Sequence, residues 1–312
     1  MMNRKRYNIL LMLVMLVAIN TSAQQEAMFS HYSFNTLSVN PAYAGTRGAL
    51  TMTGVHRSQW VNFPGAPITQ TVSVHSPIFS DKLGVGLSLL NDKIGKSKNS
   101  SVFADFSYKL RLGNGQLSFG LKGGISVRSD KLTEIDTDTE DDPLFAQDVQ
   151  SRIVPNFGAG AYYYTENFYV GISTPQVLEN DFSIEGTDQK LNLAERHYYF
   201  IAGAMLNLSK NKKIKLKPTA YIKYVAGAPL AIDATALVYF NNRFWVGPMF
   251  RYGDAAGMLI GVNITEQFAL SYGYDWSFAN SSSRYNAGSH ELLLRYDFIF
   301  NNKEKIESPR YF

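Results

Sequence analysis

Alternation of apolar and polar residues, repeated along almost the whole chain, is the feature that most restricts how this sequence can fold. In segment 116–128, one face carries Leu117, Phe119 and Leu121, whereas the other carries polar residues such as Lys122. Successive side chains of a strand point to opposite faces, so such a strand separates an apolar environment from a polar one. About fourteen such segments with almost no helical periodicity predict an all-β protein, a transmembrane antiparallel up-and-down β-barrel.

The predicted strands are about eight to fourteen residues long, close to the length that a tilted strand needs to cross a bilayer. A soluble β-sandwich would alternate in the same way, so the discriminating observation is aromatic residues at both strand ends, as in the interfacial girdles of membrane barrels. Ordinary core aromatics are the alternative interpretation. The girdle residues are Tyr163, Phe168, Phe240, Phe244 and Phe268 at one end, and Tyr224, Tyr274 and Trp276 at the other. The strands are predicted at 48–58, 67–76, 82–91, 100–112, 116–129, 153–164, 167–174, 196–208, 213–225, 230–240, 243–252, 256–264, 267–276 and 289–300.

Short and long connections alternate along the predicted barrel. The long ones follow strands five, seven and thirteen, at 130–152, 175–195 and 277–288. Membrane barrels keep short turns in the periplasm and longer loops outside the cell. This parity predicts that strand one runs outward and that both termini, including a tail at 301–312, are periplasmic.

The first 23 residues have the composition of a signal peptide. A charged start at Arg4, Lys5 and Arg6 precedes an apolar run at 9–19 and small residues at 21–23. The run is too short for a membrane-spanning helix. Three of the 30 basic residues and none of the 26 acidic ones fall here, so 27 basic residues face 26 acidic ones in the rest. This near-neutral balance argues against a nucleic-acid partner.

Residues 24–47 form a separate N-terminal segment before the barrel, which we place at 48–300. Five aromatic or histidine rings fall between Phe29 and Tyr43, and Asn40-Pro41 favours an extended turn. A barrel of about fourteen strands has a lumen that must be filled or can conduct. We therefore expect the segment to plug the periplasmic mouth; a loose periplasmic lead-in is the alternative.

Charged residues of both signs occupy the predicted inner face of the barrel. Charges at membrane depth pair with one another or face water. The structural interpretation is a salt-bridge lattice across the lumen that supports the barrel and its plug; a selectivity filter is the alternative. These residues are Asp105, Lys109, Arg111, Lys122, Lys215, Lys217, Lys223, Asp233, Arg251, Asp275, Arg295 and Asp297.

The sharpest charge cluster is the acidic stretch 134–142. Dense carboxylates can bind calcium, but the glycine and terminal glutamate of a calcium loop are absent, which favours a solvated extracellular loop. Its surface position makes Asp136, Asp138, Asp141 and Asp142 candidate partner contacts.

Several chemistries lack the residues that they need. The five histidines show no metal-ligand spacing, and neither a nucleophile elbow nor a phosphate loop occurs. The chain has no cysteine, which excludes disulfides and thiol catalysis. We expect no metal, no cofactor and no enzymatic activity.

The string Asn40-Pro41-Ala42-Tyr43-Ala44-Gly45 follows the stretch 29–35 and carries a family resemblance. It closely resembles the N-terminal signature of the PorP/SprF family, the Bacteroidetes outer-membrane proteins associated with type IX secretion and gliding. The likeness continues at 56–60, 63–67, 83–87 and 308–312, and His31 stands where the family more usually has glutamine.

The resemblance implies a non-enzymatic integral outer-membrane protein. Its expected partners are membrane lipid and type IX secretion components or a large secreted adhesin, contacted by a monomeric barrel within a larger complex. Asn40, Pro41, Tyr43 and Gly45 are candidate partner-binding residues. The alternative function is an outer-membrane channel for small or apolar solutes.

Overall fold

The computed structural model describes residues 28–79, 82–134, 148–183, 190–278 and 287–299. The predicted signal peptide, the tail at 301–312 and the acidic residues Asp136, Asp138, Asp141 and Asp142 lie outside these ranges. No helix in the described chain is long and apolar enough to cross a membrane.

Seventeen strands, β1 to β17, follow one another in the described ranges, with three short 3-10 helices at Thr36–Ser38, Pro41–Tyr43 and Leu132–Glu134. The strands are Leu50–Ser58, Ile68–Ile78, Leu83–Ile94, Ser97–Leu112, Gly115–Asp130, Val149–Tyr164, Phe168–Thr174, Asn180–Ser183, Lys190–Ala194, His197–Ala204, Leu206–Asn207, Ile214–Val225, Ala231–Phe240, Phe244–Arg251, Ala255–Asn263, Phe268–Ser277 and Ser289–Phe298.

These strands close into a 14-stranded antiparallel barrel, which confirms the predicted fold. Neighbours in sequence pair throughout, and β1 pairs with β17, for example at Thr53 opposite Arg295. The short β10 and β11 together form one barrel strand, and β10 pairs with both β7 and β12. The hairpin β8–β9 forms a separate two-stranded sheet in the connection from β7 to β10. Each barrel strand therefore has two neighbours, which satisfies its backbone groups in lipid.

Burial is the reverse of that in a soluble protein. Along β4, Val102, Phe106 and Leu110 are exposed, whereas Asp105 and Lys109 are buried. The contrast extends to the whole barrel, where Leu121 is 65% exposed and Lys217 is 0% exposed. Apolar residues face the surroundings because lipid solvates them, and polar residues line the interior.

The two ends of the barrel differ in their connections. We call the end holding the start of β1, the end of β17 and the connections 113–114, 165–167 and 241–243 the turn end. At one of these turns, Asn241 and Asn242 adopt positive φ angles of 51° and 56°. The opposite end, which we call the loop end, holds the longer connections 131–148, 175–196 and 278–288.

Exposed aromatic residues lie near both ends of the barrel wall. Phe240 and Phe244 are 38% and 37% exposed at the turn end, and their rings are 6.0 Å apart. Tyr224, Tyr274 and Trp276 are exposed at the loop end. This arrangement places aromatic side chains where the two lipid–water interfaces of a spanning barrel would be.

Four prolines lie inside barrel strands: Pro77 of β2, Pro155 of β6, Pro218 of β12 and Pro248 of β14. Pro218 lies opposite Ala236 in an unbroken register, and the β13–β14 pairing next to Pro248 is interrupted but has the same register on both sides of the interruption. The register is thus kept by the flanking hydrogen bonds, although proline has no backbone donor.

Candidate functional site

The most distinctive feature inside the barrel is the stretch 28–49, which we call the inner segment. Ser30 contacts Glu291 near the loop end of β17, Ser38 contacts Lys122 midway along β5, and the chain reaches β1 at the turn end. The inner segment therefore runs through the lumen from the loop end to the turn end. Almost all of its residues are buried.

At the loop end, the inner segment is held by charges that belong to the barrel wall. The backbone N–H groups of Ser30 and His31 donate to the two carboxylate oxygens of Glu291, over 2.7 and 2.8 Å. His31 also donates from Nδ1 to Glu291 over 2.7 Å. Arg57 lies 2.7 Å from Asp275 and 3.1 Å from Glu291. A buried carboxylate with this many donors is well compensated.

At mid-height, Asn40 organises the inner segment and ties it to the wall. Its side-chain oxygen accepts from the backbone N–H of Ala42 over 3.0 Å, which caps the turn Pro41–Tyr43, and its amide donates to Ala161 over 3.1 Å. On the other side, Lys122 donates to the backbone carbonyls of Leu37 and Ser38.

Glycines in the barrel wall leave room for the string 40–45. A methyl group at Gly120 would overlap the backbone of Pro41 and Ala42. A methyl group at Gly84 would overlap the carbonyl of Ala44, and one at Gly160 would overlap the Asn40 side chain. The inner segment thus packs backbone against backbone, which only glycine permits.

At the turn end, the inner segment supplies the cation itself. Arg47 donates to both oxygens of Asp297, from Nε over 3.1 Å and from Nη2 over 2.7 Å. The backbone of Gly45, at φ +69°, donates to His75 and accepts from Lys109 over 2.8 Å. The two hydrogen bonds between Arg47 and Asp297 form a buried bidentate pair, which is the strongest geometry that an arginine and a carboxylate can form.

Aromatic stacking fills the space between these anchors. Tyr32 stacks on Tyr221 with ring centroids 4.8 Å apart, and Phe34 stacks on Trp245 at 5.6 Å. Lys217 places its ammonium 4.6 Å from the centre of the Phe34 ring. This contact is a cation–π interaction in a fully buried setting. The lumen is a packed core over this region.

Comparison with protein families decides the relationship of the chain. The family described as type IX secretion system membrane protein PorP/SprF matches residues 21–296. The chain belongs to the PorP/SprF family. It is therefore an outer-membrane β-barrel protein of type IX secretion.

Solved structures similar to this PorP/SprF protein are outer-membrane barrels. The Acinetobacter baumannii outer membrane protein Omp33 is 10% identical with a TM-score of 0.49, over 81% of this chain and 100% of that one. A Pseudomonas aeruginosa FadL homologue is 11% identical with a TM-score of 0.44, over 80% of this chain and 90% of that one. The comparison with curated proteins returned no match. Likeness at this level carries no information about function.

The candidate residues Asn40, Pro41, Tyr43 and Gly45 of the PorP/SprF protein lie in the lumen. The first three are fully or almost fully buried against the wall, and Gly45 is buried as well. They contact the protein's own barrel, so the structure gives them a place in internal packing.

Eleven of the twelve candidate lumen charges are buried, and Arg111 is exposed at the turn end of β4. Lys122 pairs with Asp105 and Arg251 pairs with Asp233 across neighbouring strands, and Arg295 lies 3.8 Å from Asp297 on its own strand. The inner segment lies inside the lumen, and the salt-bridge lattice across the lumen stays a prediction.

Three charged residues of this PorP/SprF barrel were not predicted from the sequence: Arg47, Arg57 and Glu291. Glu291 could have been predicted from the alternation of β17, because it lies on the same face of the strand as Arg295 and Asp297. Arg57 continues the alternation of β1, whose inward residues are all buried. Within the described ranges, no group of three or more acidic, histidine or cysteine side chains is arranged to hold a metal ion.

The path of the inner segment bears on the predicted position of the termini. Its first described residues lie near the loop end, whereas β17 finishes at the turn end, because the N-terminal segment traverses the lumen before β1. The two ends of the described chain thus face opposite ends of the barrel, and the membrane side of each terminus stays a prediction.

Proposed function

We propose that this protein is a closed outer-membrane barrel that anchors type IX secretion machinery or a secreted adhesin, and that it is not an enzyme. The observation that carries the proposal is the inner segment, which fills the lumen with buried hydrogen bonds, ion pairs and stacked rings. A barrel filled in this way offers rigid surfaces at both ends and no open path between them.

The alternative, a solute channel, requires the inner segment to move. A cavity of about 360 Å³ lies at the loop end and one of about 530 Å³ at the turn end. Ser38 and Val39 line the first and Phe34 and Arg47 line the second, so the inner segment stands between them. Conduction would break the contacts of the inner segment with Glu291 at the loop end and with Asp297 at the turn end. Because breaking buried ionic contacts is costly, the channel function is disfavoured.

The membrane orientation is part of the proposal. Long connections of membrane barrels face the cell exterior, so we place the loop end outside and the turn end in the periplasm. The first described residues of the inner segment then lie at the exterior end, and β17 ends on the periplasmic side. An epitope inserted after Gly65, in the loop-end connection 59–67, should be labelled on intact cells, whereas one inserted after Glu166, in the turn-end connection 165–167, should be labelled only after permeabilisation.

Conductance and partner recovery together test the anchoring function. Purified wild-type protein in planar bilayers should show little conductance, and a variant lacking residues 28–45 should conduct. Pull-down of the wild-type protein from outer membranes should recover a type IX component or a large secreted protein. Steady conductance of the wild-type protein with no recovered partner would favour the channel instead.

A further inference from the structure

The loop-end cavity is a second feature of the lumen with a chemistry of its own. It lies between the inner segment and the wall formed by β2 to β5 and β10. Its walls combine apolar and aromatic surface with a few polar atoms, as small-ligand sites do. The apolar walls come from Phe29, Val39, Leu90, Phe103 and Tyr199.

The orphaned polar atoms at this cavity are hydrogen-bond acceptors. His197 is 1% exposed, and its Nδ1 lies 2.9 Å from the backbone oxygen of Glu195. A carbonyl oxygen only accepts, so this contact selects the tautomer with the hydrogen on Nδ1, in which Nε2 is an acceptor. Neither this Nε2 nor Oδ1 of Asn99 has a hydrogen-bond partner in the described part of the chain, and both residues line the cavity.

Two of the three lysine and arginine side chains that line the cavity form ion pairs, and the third, Lys98, is exposed. Lys122 lies 3.3 Å from Asp105, and Arg128 donates to Asp130 over 2.8 Å. Two further carboxylates, those of Asp92 and Glu195, also line the cavity. The unpartnered acceptor atoms and these carboxylates favour a bound group that supplies hydrogen-bond donors, and a positive charge is tolerated there.

The rim of the cavity points to a polypeptide as the source of that group. Pro175, Gln176 and Glu195 line it, and they belong to the connection that carries the hairpin β8–β9. This hairpin pairs with no other strand in the described ranges, so its outer edges present backbone donors and acceptors. Such edges accept an additional strand from a partner.

We propose that the loop-end cavity binds one side chain of a partner polypeptide, a side chain that joins an apolar body to an amine or other N–H donor. The adjoining backbone of the partner lies along the open edge of the hairpin β8–β9. This inference rests on the anchoring function, for which it names the contact point.

A matched pair of small probes tests the chemistry of the cavity without any partner. Phenethylamine and phenylacetate share a phenyl ring, but the first ends in a donor and the second in an acceptor. Binding to the purified full-length protein in detergent micelles can be followed by ligand-observed NMR. We expect phenethylamine to bind at least tenfold more tightly than phenylacetate. Equal binding of the two probes would overturn the donor requirement.

Variants of the cavity connect the probe to the partner. His197→Leu removes the acceptor and should weaken phenethylamine binding and partner recovery at least fivefold, whereas His197→Gln keeps an acceptor and should restore part of both. Leu90→Trp fills the cavity and should abolish both; its urea midpoint establishes that the barrel is folded. His290→Leu, on the outer face near the same end, is the matched control and should change neither.

The outcomes separate the two proposals. If phenethylamine binding is lost in the variants while partner recovery is unchanged, a partner side chain is not the occupant of the cavity, and the inference fails while the anchoring function stands. If the wild-type protein recovers no partner, the anchoring function fails, and the probe pair still decides the cavity's chemistry.

Discussion

The two ends of the inner segment differ in whether the segment or the barrel wall supplies the charged groups that hold it. At the loop end the charges of Arg57, Asp275 and Glu291 all belong to the wall, and Ser30 and His31 add hydrogen bonds to them. At the turn end the segment itself supplies the cation, Arg47, and the wall supplies the anion. Removing the segment would leave Arg57 beside the two carboxylates at the loop end, whereas it would leave Asp297 without its main partner at the turn end. The loop end is therefore the end more easily released.

Replacing Arg47 tests the tighter anchor and should have the largest effect. Arg47→Ala leaves Asp297 in a buried site with the Thr51 hydroxyl at 2.7 Å and with Arg295, at 3.8 Å, as its remaining cation. Removing one partner of a buried ion pair costs on the order of 3 kcal/mol. Urea unfolding in micelles should show this loss, with Arg47→Lys intermediate because it keeps the charge without the fork. If Arg47→Ala lowers the free energy of unfolding by less than Ser30→Ala does, the loop end is the tighter anchor of the inner segment and the comparison is reversed.

Crowding the middle of the inner segment should have the next largest effect. Gly120→Ala forces a methyl group against the backbone of Pro41 and Ala42, and overpacking of this kind costs about 1–3 kcal/mol. Gly123→Ala is the matched control on the same strand, because its methyl group would meet only the Phe157 ring at 3.6 Å. The urea midpoint should fall for Gly120→Ala only. Equal midpoints for the two variants would show that the inner segment can shift to make room for the methyl group at no cost in stability.

Removing a neutral contact at the loop end should have a smaller effect. The hydroxyl of Ser30 donates to Asp275 over 3.0 Å and accepts from Arg57 over 2.8 Å. Ser30→Ala keeps Arg57 beside both carboxylates and keeps the backbone hydrogen bonds to Glu291, so we expect a loss of about 1 kcal/mol in the free energy of unfolding. Single-channel recordings should show brief openings more often than in Arg47→Lys if release begins at this end.

An exposed ion cluster at the loop-end rim should have the smallest effect. Hydrogen bonds from Lys131 and Lys96 lower the pKa of Glu134 to about 2. A lowered pKa means that any stabilisation is complete above about pH 4.5 and is lost as the pH falls toward 2. Solvent screens these side chains, so Glu134→Gln should leave the thermal midpoint at pH 7 unchanged, within error, and a large drop would show that the rim is buried by a partner.

Much of the barrel could be predicted because the residues of each strand alternate between apolar ones that face lipid and polar ones that face the lumen. Asp105, Lys109 and Lys122 were placed on the inner face from alternation alone, and they are buried. Arg111 follows the same alternation but is exposed, because the strand end projects beyond the packed lumen. Strand β1 has a weak hydropathy pattern, because its buried residues include Thr51 and Thr53 whereas Met52 is exposed.

The inner segment was harder to predict because its sequence has no periodic pattern from which the residues that it contacts could be inferred. Its rings and its turn at Asn40 suggested an ordered plug, but nothing local indicates that Ser30 meets Glu291, 261 residues away. The ion pairs of the wall were predicted as a set and not pair by pair, since pairing depends on register and on what fills the centre.

The sequence by itself determined the barrel, its alternation of lipid-facing and inward residues, and the parity of its connections, because a two-residue period and a turn are local properties of the chain. Only the tertiary structure decided that the N-terminal segment threads the lumen from the loop end to the turn end. That path depends on contacts between residues at opposite ends of the chain, and on wall glycines whose role is visible only once the backbone of the segment lies against them.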